Sequence, residues 1–121
     1  MPSGSRVTIK VDGLDALRGK LAQLPDQMRK GAERAISDEV EEIAQDMRDS
    51  VPVDTGALQG GIQAESEGLT GKAVSTADHS WAVEGGTSRM PARPFAQPAA
   101  ERSRTRFPER VSAAVREELP K

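Results

Sequence analysis

The chain has 121 residues and a formal net charge of −2; 36% of its residues are hydrophobic and 30% are charged. This length and composition predict one soluble domain over residues 1–121 and exclude two separate cores. The absence of Cys excludes disulfides, thiolate metal sites and thiol nucleophiles, and the low charge disfavours tight, sequence-reading nucleic-acid binding. No stretch approaches membrane-spanning length and the first residues lack an apolar run, so we expect no membrane association and retention in the compartment of synthesis.

The first predicted elements are a strand and a helix. Val7, Ile9 and Val11 alternate with polar residues, which predicts a short half-buried strand. A run of leucines then recurs at spacings of three and four, as on one helix face: Leu14, Leu17, Leu21 and Leu24. Pro25 either kinks this helix or stands at the start of a second one.

A long helix is predicted to follow Pro25. Its apolar stripe consists of Met28, Ala32, Ile36, Val40, Ile43 and Met47. We expect the charged residues around this stripe to be solvated: Glu39, Glu41, Glu42, Asp46 and Arg48. The helix should stop at Ser50-Val51-Pro52, because the residue before Pro is pushed out of helical geometry.

The next part of the chain predicts a small antiparallel sheet with strands at Ile62–Ser66, Lys72–Thr76 and Ser80–Glu84 and with turns at Glu67-Gly68 and Ala77-Asp78. The segment from Gly85 to Pro94 should be an irregular loop.

A last helix is predicted from Pro98 to Leu119, with a kink or a helix start at Pro108. Its apolar residues are four apart: Phe107, Val111, Val115 and Leu119. The order of strand, helices, sheet and helix predicts an α+β fold.

One short motif has a catalytic counterpart, the turn Asp54-Thr55-Gly56. Asp-Thr-Gly is the catalytic turn of homodimeric aspartic proteases, in which two carboxylates share a proton. Those enzymes are almost wholly β, and their turn follows an apolar strand rather than a long helix. We therefore favour a structural turn, in which Asp54 and Thr55 cap the backbone and Gly56 supplies an unusual backbone angle.

No other catalytic, cofactor or metal constellation is found in the sequence. His79 is the only histidine, and no set of acidic residues has ligand spacing beyond that of a charged helix. Gly85-Gly86-Thr87 lacks the glycine spacing and the following Lys of a phosphate-binding loop. We expect a protein without enzymatic activity and without cofactors.

The strongest charge feature is a basic run at Arg102, Arg104, Arg106 and Arg110, with Arg89 and Arg93 nearby. One interpretation is contact with DNA phosphates or with an acidic neighbour. The other, which we favour, is a solvated helix face balanced by acids of the same helix: Glu101, Glu109, Glu117 and Glu118. The region also lacks the aromatic residues on which single-strand binders stack bases.

Three short segments follow one another in the sequence: Pro52-Val53-Asp54-Thr55-Gly56-Ala57-Leu58 with Gly61-Ile62, Trp81-Ala82-Val83-Glu84-Gly85-Gly86-Thr87, and Pro91-Ala92-Arg93-Pro94-Phe95 with Pro98-Ala99. In this order and spacing they resemble the tail-component family of siphophages, typified by gene product ten of phage HK-ninety-seven. Together they span residues 52 to 99. Each motif alone is weak, whereas the three in sequence are fairly specific.

The resemblance implies a structural virion protein of the phage neck or upper tail, assembled in the host cytoplasm. It implies a homo-oligomeric ring, with six copies favoured over twelve, that contacts neighbouring neck and tail proteins and leaves a channel through which DNA passes without sequence-specific binding. A tail-terminator ring is the alternative. The scarcity of aromatics, one Trp, two Phe and no Tyr, also favours stabilisation by neighbouring copies.

We expect the subunit boundary to lie at the loop between Gly85 and Phe95. The residues predicted to form this interface are Trp81, Glu84, Gly86, Thr87, Arg93, Pro94 and Phe95.

Overall fold

The structure is a computed structural model that describes residues 7–11, 14–51, 59–76, 80–86, 88, 91–92 and 94–119. Its elements in chain order are β1 (Val7–Lys10), α1 (Leu14–Ala22), α2 (Asp26–Ser50), β2 (Ile62–Glu67), β3 (Thr70–Ser75), α3 (Ser80–Gly85) and α4 (Ala96–Glu117). The predicted α+β fold is confirmed, with its N-terminal strand, long helix, small antiparallel sheet and C-terminal helix.

The three strands form an antiparallel sheet in the order β1-β3-β2. Ile9 pairs with Ala73, which pairs in turn with Ala64, and this face of the sheet packs on α2. A β-carbon added at Gly71 would lie 2.7 Å from Ile36 Cγ2 and 2.8 Å from Val40 Cγ1. Gly71 therefore allows α2 to approach the sheet backbone more closely than any other residue would.

The two long helices, α2 and α4, pack against each other along most of their length. Arg34 contacts Glu118 near one end and Asp46 contacts Arg102 near the other, so the helices run antiparallel. A β-carbon added at Gly31 would lie 2.8 Å from the carbonyl oxygen of Ala114. The predicted stripe of α2 is buried from Ala32 to Met47, and this helix forms the centre of the core.

The sequence prediction is wrong in the segment Ser80–Glu84, which is a helix and not a strand. Five residues with an apolar Val83 fit either period, because a short window does not separate a strand from a helical turn. The helix buries Val83 and leaves Glu84 beside the start of α4.

The structure decides between the two interpretations of Pro25, and it moves the start of one strand. Pro25 does not kink one helix but separates α1 from α2, at the position before the first residue of α2. β3 begins two residues earlier than predicted, because Gly68 and Leu69 alone form the hairpin turn and Glu67 pairs with Thr70. Gly68 has a φ of 57°, as the first residue of such a two-residue turn requires. Among the described residues only Gly86 also has a positive φ.

The last helix begins at Ala96 and continues through Pro108, so no helix starts at that proline. Of its predicted stripe, Phe107 and Val111 are buried, Val115 is half-buried and Leu119 is 46% exposed. The stripe therefore leaves the core towards the end of the helix.

Candidate functional site

One carboxylate, that of Glu84, joins the two ends of the segment that is predicted to form the interface. Glu84, in α3, accepts hydrogen bonds from three consecutive backbone N–H groups at the start of α4. The nitrogens of Phe95 and Ala96 lie 3.0 and 2.7 Å from Oε1, and that of Gln97 lies 3.0 Å from Oε2. The first N–H groups of a helix have no partner within the helix, and they favour a negative charge. Glu84 therefore acts as the cap of α4 from eleven residues away.

This cap joins two of the segments that the sequence analysis singled out. Glu84 belongs to the segment that begins at Trp81, and Phe95 ends the segment that begins at Pro91. Phe95 is fully buried in the core, and Val83 is only 5% exposed. Both ends of the connection are thus anchored by an apolar side chain, with the carboxylate between them.

The residues between these anchors, 85–94, form what we call the 85–94 loop. Its described residues other than Gly86 are exposed: Gly85, Ser88, Pro91, Ala92 and Pro94. Gly86 is half-buried and has a φ of 76°, a backbone conformation that favours glycine. The described residues of this loop, apart from Gly86, therefore lie at the surface between two anchored ends.

The predicted interface residues fall into different environments. Glu84 and Phe95 serve the chain's own fold, while Pro94 is exposed. The backbone of Trp81 lies in α3, and its side chain is outside the description, as are Thr87 and Arg93. The interface itself stays a prediction.

The turn Asp54, Thr55 and Gly56 lies outside the described residues, as do His79 and Arg89. The structural and the proteolytic interpretations of the Asp-Thr-Gly turn are therefore both untested. Within the described part of the chain, no group of three or more His, Asp or Glu residues is arranged to hold a metal ion. None of the described helices is long and apolar enough to cross a membrane.

Two residues of the basic run of α4, Arg106 and Arg110, meet the acids of α2. Arg106 donates to Glu39 through Nε, 3.2 and 3.1 Å from the two carboxylate oxygens, and through Nη2 at 2.7 Å. Its Nη1 donates to Glu42 Oε2 at 2.8 Å and to Asp46 Oδ2 at 3.4 Å. Arg110 pairs with Glu42 and approaches Glu39 at 3.6 Å. We call Glu39, Glu42, Asp46, Arg106 and Arg110 the α2–α4 ion cluster.

Two predictions about charge are corrected by this cluster. Glu39 is not solvated but 0% exposed. Arg106 and Arg110 are balanced by acids of α2 and not by those of their own helix, because α4 turns this face towards α2. Arg102 adds a third cation 3.9 Å from Asp46, so three cations and three carboxylates meet and their formal charges cancel.

The protonation of Arg106 follows from its surroundings. Burial of the guanidinium lowers its pKa, but the hydrogen bonds with Glu39 and Asp46 and the charges of Glu39 and Glu42 outweigh burial and raise the pKa above the ordinary value for arginine. Arg106 is therefore a permanent cation, suited to a structural ion pair and not to proton transfer.

Sequence reasoning did not find the contact between Glu84 and α4, although one signal was present. The residue before α4 is Phe95, and no side chain of its own caps the helix. A helix that starts without Ser, Thr, Asp or Asn requires another acceptor for its first N–H groups.

Searches against protein-family models, curated proteins and solved structures find no match to this chain.

Proposed function

We propose that this protein is a non-enzymatic structural subunit of a tailed bacteriophage, one that forms a ring where the head joins the tail. The proposal starts from the three sequence segments that resemble siphophage tail components. The observation that supports it best is the hydrogen bonding of Glu84 to the start of α4, because it couples the second segment to the third. Residues that are separate motifs in the sequence thus serve one local structure.

The 85–94 loop has the physical properties of a subunit contact. Two prolines and an alanine, Pro91, Ala92 and Pro94, expose small apolar surfaces. A loop that is fixed at both ends loses less conformational entropy when a neighbour orders it. The loop can therefore contact an adjacent copy at little entropic cost.

In this proposal the contact repeats head-to-tail around an axis. Such a contact closes into a ring when its rotation divides a full turn. Six copies are favoured and twelve are the runner-up, with phage DNA passing through the lumen and other neck and tail proteins above and below. A tail-terminator ring is the closest alternative form of the same function.

The direct test is symmetry-resolved electron microscopy of the virion whose genome encodes this chain. We expect density for six copies in the neck or upper tail. A single copy in the particle, or absence from it, would contradict the proposal. The genomic neighbourhood gives an independent check, because we expect genes for portal, capsid and tail-tube proteins beside the coding sequence.

A pair of variants tests the role of the loop. Ala92→Glu places a charge in the loop, and Ala16→Glu places the same charge on an exposed position of α1. We expect both variants to melt like the wild type, and only Ala92→Glu to abolish incorporation into particles. Equal incorporation of both variants would remove the loop from the interface.

A further inference from the structure

A groove of about 450 Å³ opens between α1 and the last turns of α4. Its apolar lining consists of Leu17, Leu21, Leu24, Val111, Val115 and Leu119. Leu21 and Val111 are buried and form the floor, whereas Leu119 is 46% exposed. We call this the α1–α4 groove, and it lies apart from the 85–94 loop.

Two cations border the groove. Lys20 and Arg116 line it and are exposed, and neither side chain has a hydrogen bond or ion pair in the described structure. Each also lies in the last turn of its helix, where the backbone carbonyls favour a positive charge. The groove therefore combines an apolar floor with a positive rim.

A second copy of the chain is a poor occupant. Among the described residues, Leu119 is the only exposed large hydrophobic side chain, so that part of a second copy offers no other large apolar side chain to fill the groove. Packing groove against groove would place Lys20 and Arg116 of one copy near those of the other. Like charges at a contact oppose association.

We propose that the α1–α4 groove binds an amphipathic acidic helix of a different protein. A helix fits because its residues at spacings of three and four insert together into a groove between two helices. The carboxylates that flank its apolar stripe would pair with Lys20 and Arg116. This inference does not depend on ring formation, since the groove shares no residue with the 85–94 loop.

The test uses the full chain and two synthetic peptides of about eighteen residues, a length that forms several helical turns. Both peptides carry leucines at helical spacing; one has Glu beside the leucines and the other has Lys at the same positions. We expect saturable binding of the Glu peptide, with a Kd at least about tenfold lower than that of the Lys peptide at low salt. Amide chemical-shift changes should concentrate in residues 17–24 and 111–119.

Charge-reversal variants make the test specific. K20E/R116E should reverse the preference between the two peptides. K10E/K30E, which changes the net charge equally at exposed lysines outside the groove, should keep the preference of the wild type.

Three outcomes would overturn the inference. The first is no saturable binding of the Glu peptide up to about 1 mM, the weak end of specific affinities. The second is equal loss of binding in both double variants. The third is a concentration-dependent shift of the groove residues without peptide, which would assign the groove to a second copy.

Discussion

Replacing Arg106 by Met removes the main partner of a carboxylate that has no access to water. Glu39 is 0% exposed, and Arg106 supplies three of its contacts, at 2.7, 3.1 and 3.2 Å. Breaking one side of a buried ion pair typically costs about 3–5 kcal/mol, because the remaining charge stays buried. Arg106 is itself 22% exposed and Arg110 remains 3.6 Å from Glu39, so we expect a loss near the lower end, about 3 kcal/mol.

The double variant Glu39→Met/Arg106→Met tests the reasoning more sharply than the single one. Replacing both partners by apolar side chains of similar size removes the buried charge together with its partner, so we expect stability within about 1 kcal/mol of the wild type. Urea unfolding at neutral pH measures both variants. The matched control is Lys72→Met, because the pair of Lys72 and Glu65 is 3.6 Å apart and exposed; it should cost less than about 1 kcal/mol.

At neutral pH, deprotonation of Arg106 does not affect the unfolding free energies that are compared. Its folded-state pKa is raised above the unfolded value, so the stability it contributes is fully present below the unfolded pKa and is lost only as the pH rises through the folded one. Neutral buffers are far below that range. Two results would contradict the role of the buried ion pair: a cost for Arg106→Met no greater than that for Lys72→Met, or a double variant as unstable as the sum of Arg106→Met and Glu39→Met measured singly.

Three further predictions concern the fold. Glu84→Gln keeps the shape of the cap but removes its charge, and we expect a loss of about 1–2 kcal/mol in urea unfolding; an unchanged midpoint would show that the cap is dispensable. Gly31→Ala should lower the melting temperature, because it places a β-carbon 2.8 Å from a backbone oxygen. Gly19→Ala, with open space around it, should raise the stability by up to about 1 kcal/mol. Equal effects of the two substitutions would contradict the close helix contact at Gly31. Phe95→Ala should cost about 3–5 kcal/mol in the isolated chain, and a loss seen only in assembled particles would move Phe95 from the core to the interface.

The long elements were predictable because their apolar residues repeat with a clear period. The stripe of α2 from Ala32 to Met47 and the alternation around Ile9 both end up buried as expected. The boundaries were less accessible to sequence reasoning. Pro108 lies inside α4 although a proline lacks the backbone N–H that a helix interior uses, and the neighbouring Phe107 and Val111 are buried.

The features that sequence reasoning missed depend on contacts between distant residues. Glu39 has the charge of its solvated neighbours, and its burial becomes tolerable through Arg106, 67 residues later, together with Arg110. Likewise, α3 is a helix whose Glu84 contacts the start of α4, a relation that no local pattern encodes. The subunit interface stays a prediction from motifs, and the hydrogen bonding of Glu84 to the start of α4 became visible only with the fold.

The 67-residue separation of Glu39 and Arg106 also determines how long the nascent chain contains α2 without α4. At a synthesis rate of about 5–20 residues per second, α4 follows the middle of α2 by roughly 3–13 seconds. Two helices that have both been synthesised pack together far faster than this. Burial of Glu39 and of the face of α2 that packs on α4 is therefore limited by the rate of translation and not by diffusion. During that interval the sheet can already cover its side of α2, whereas the face that packs on α4 stays exposed and can be bound by a chaperone or another nascent copy. Slowing translation over α4 should therefore increase aggregation during synthesis while leaving the finished protein unchanged.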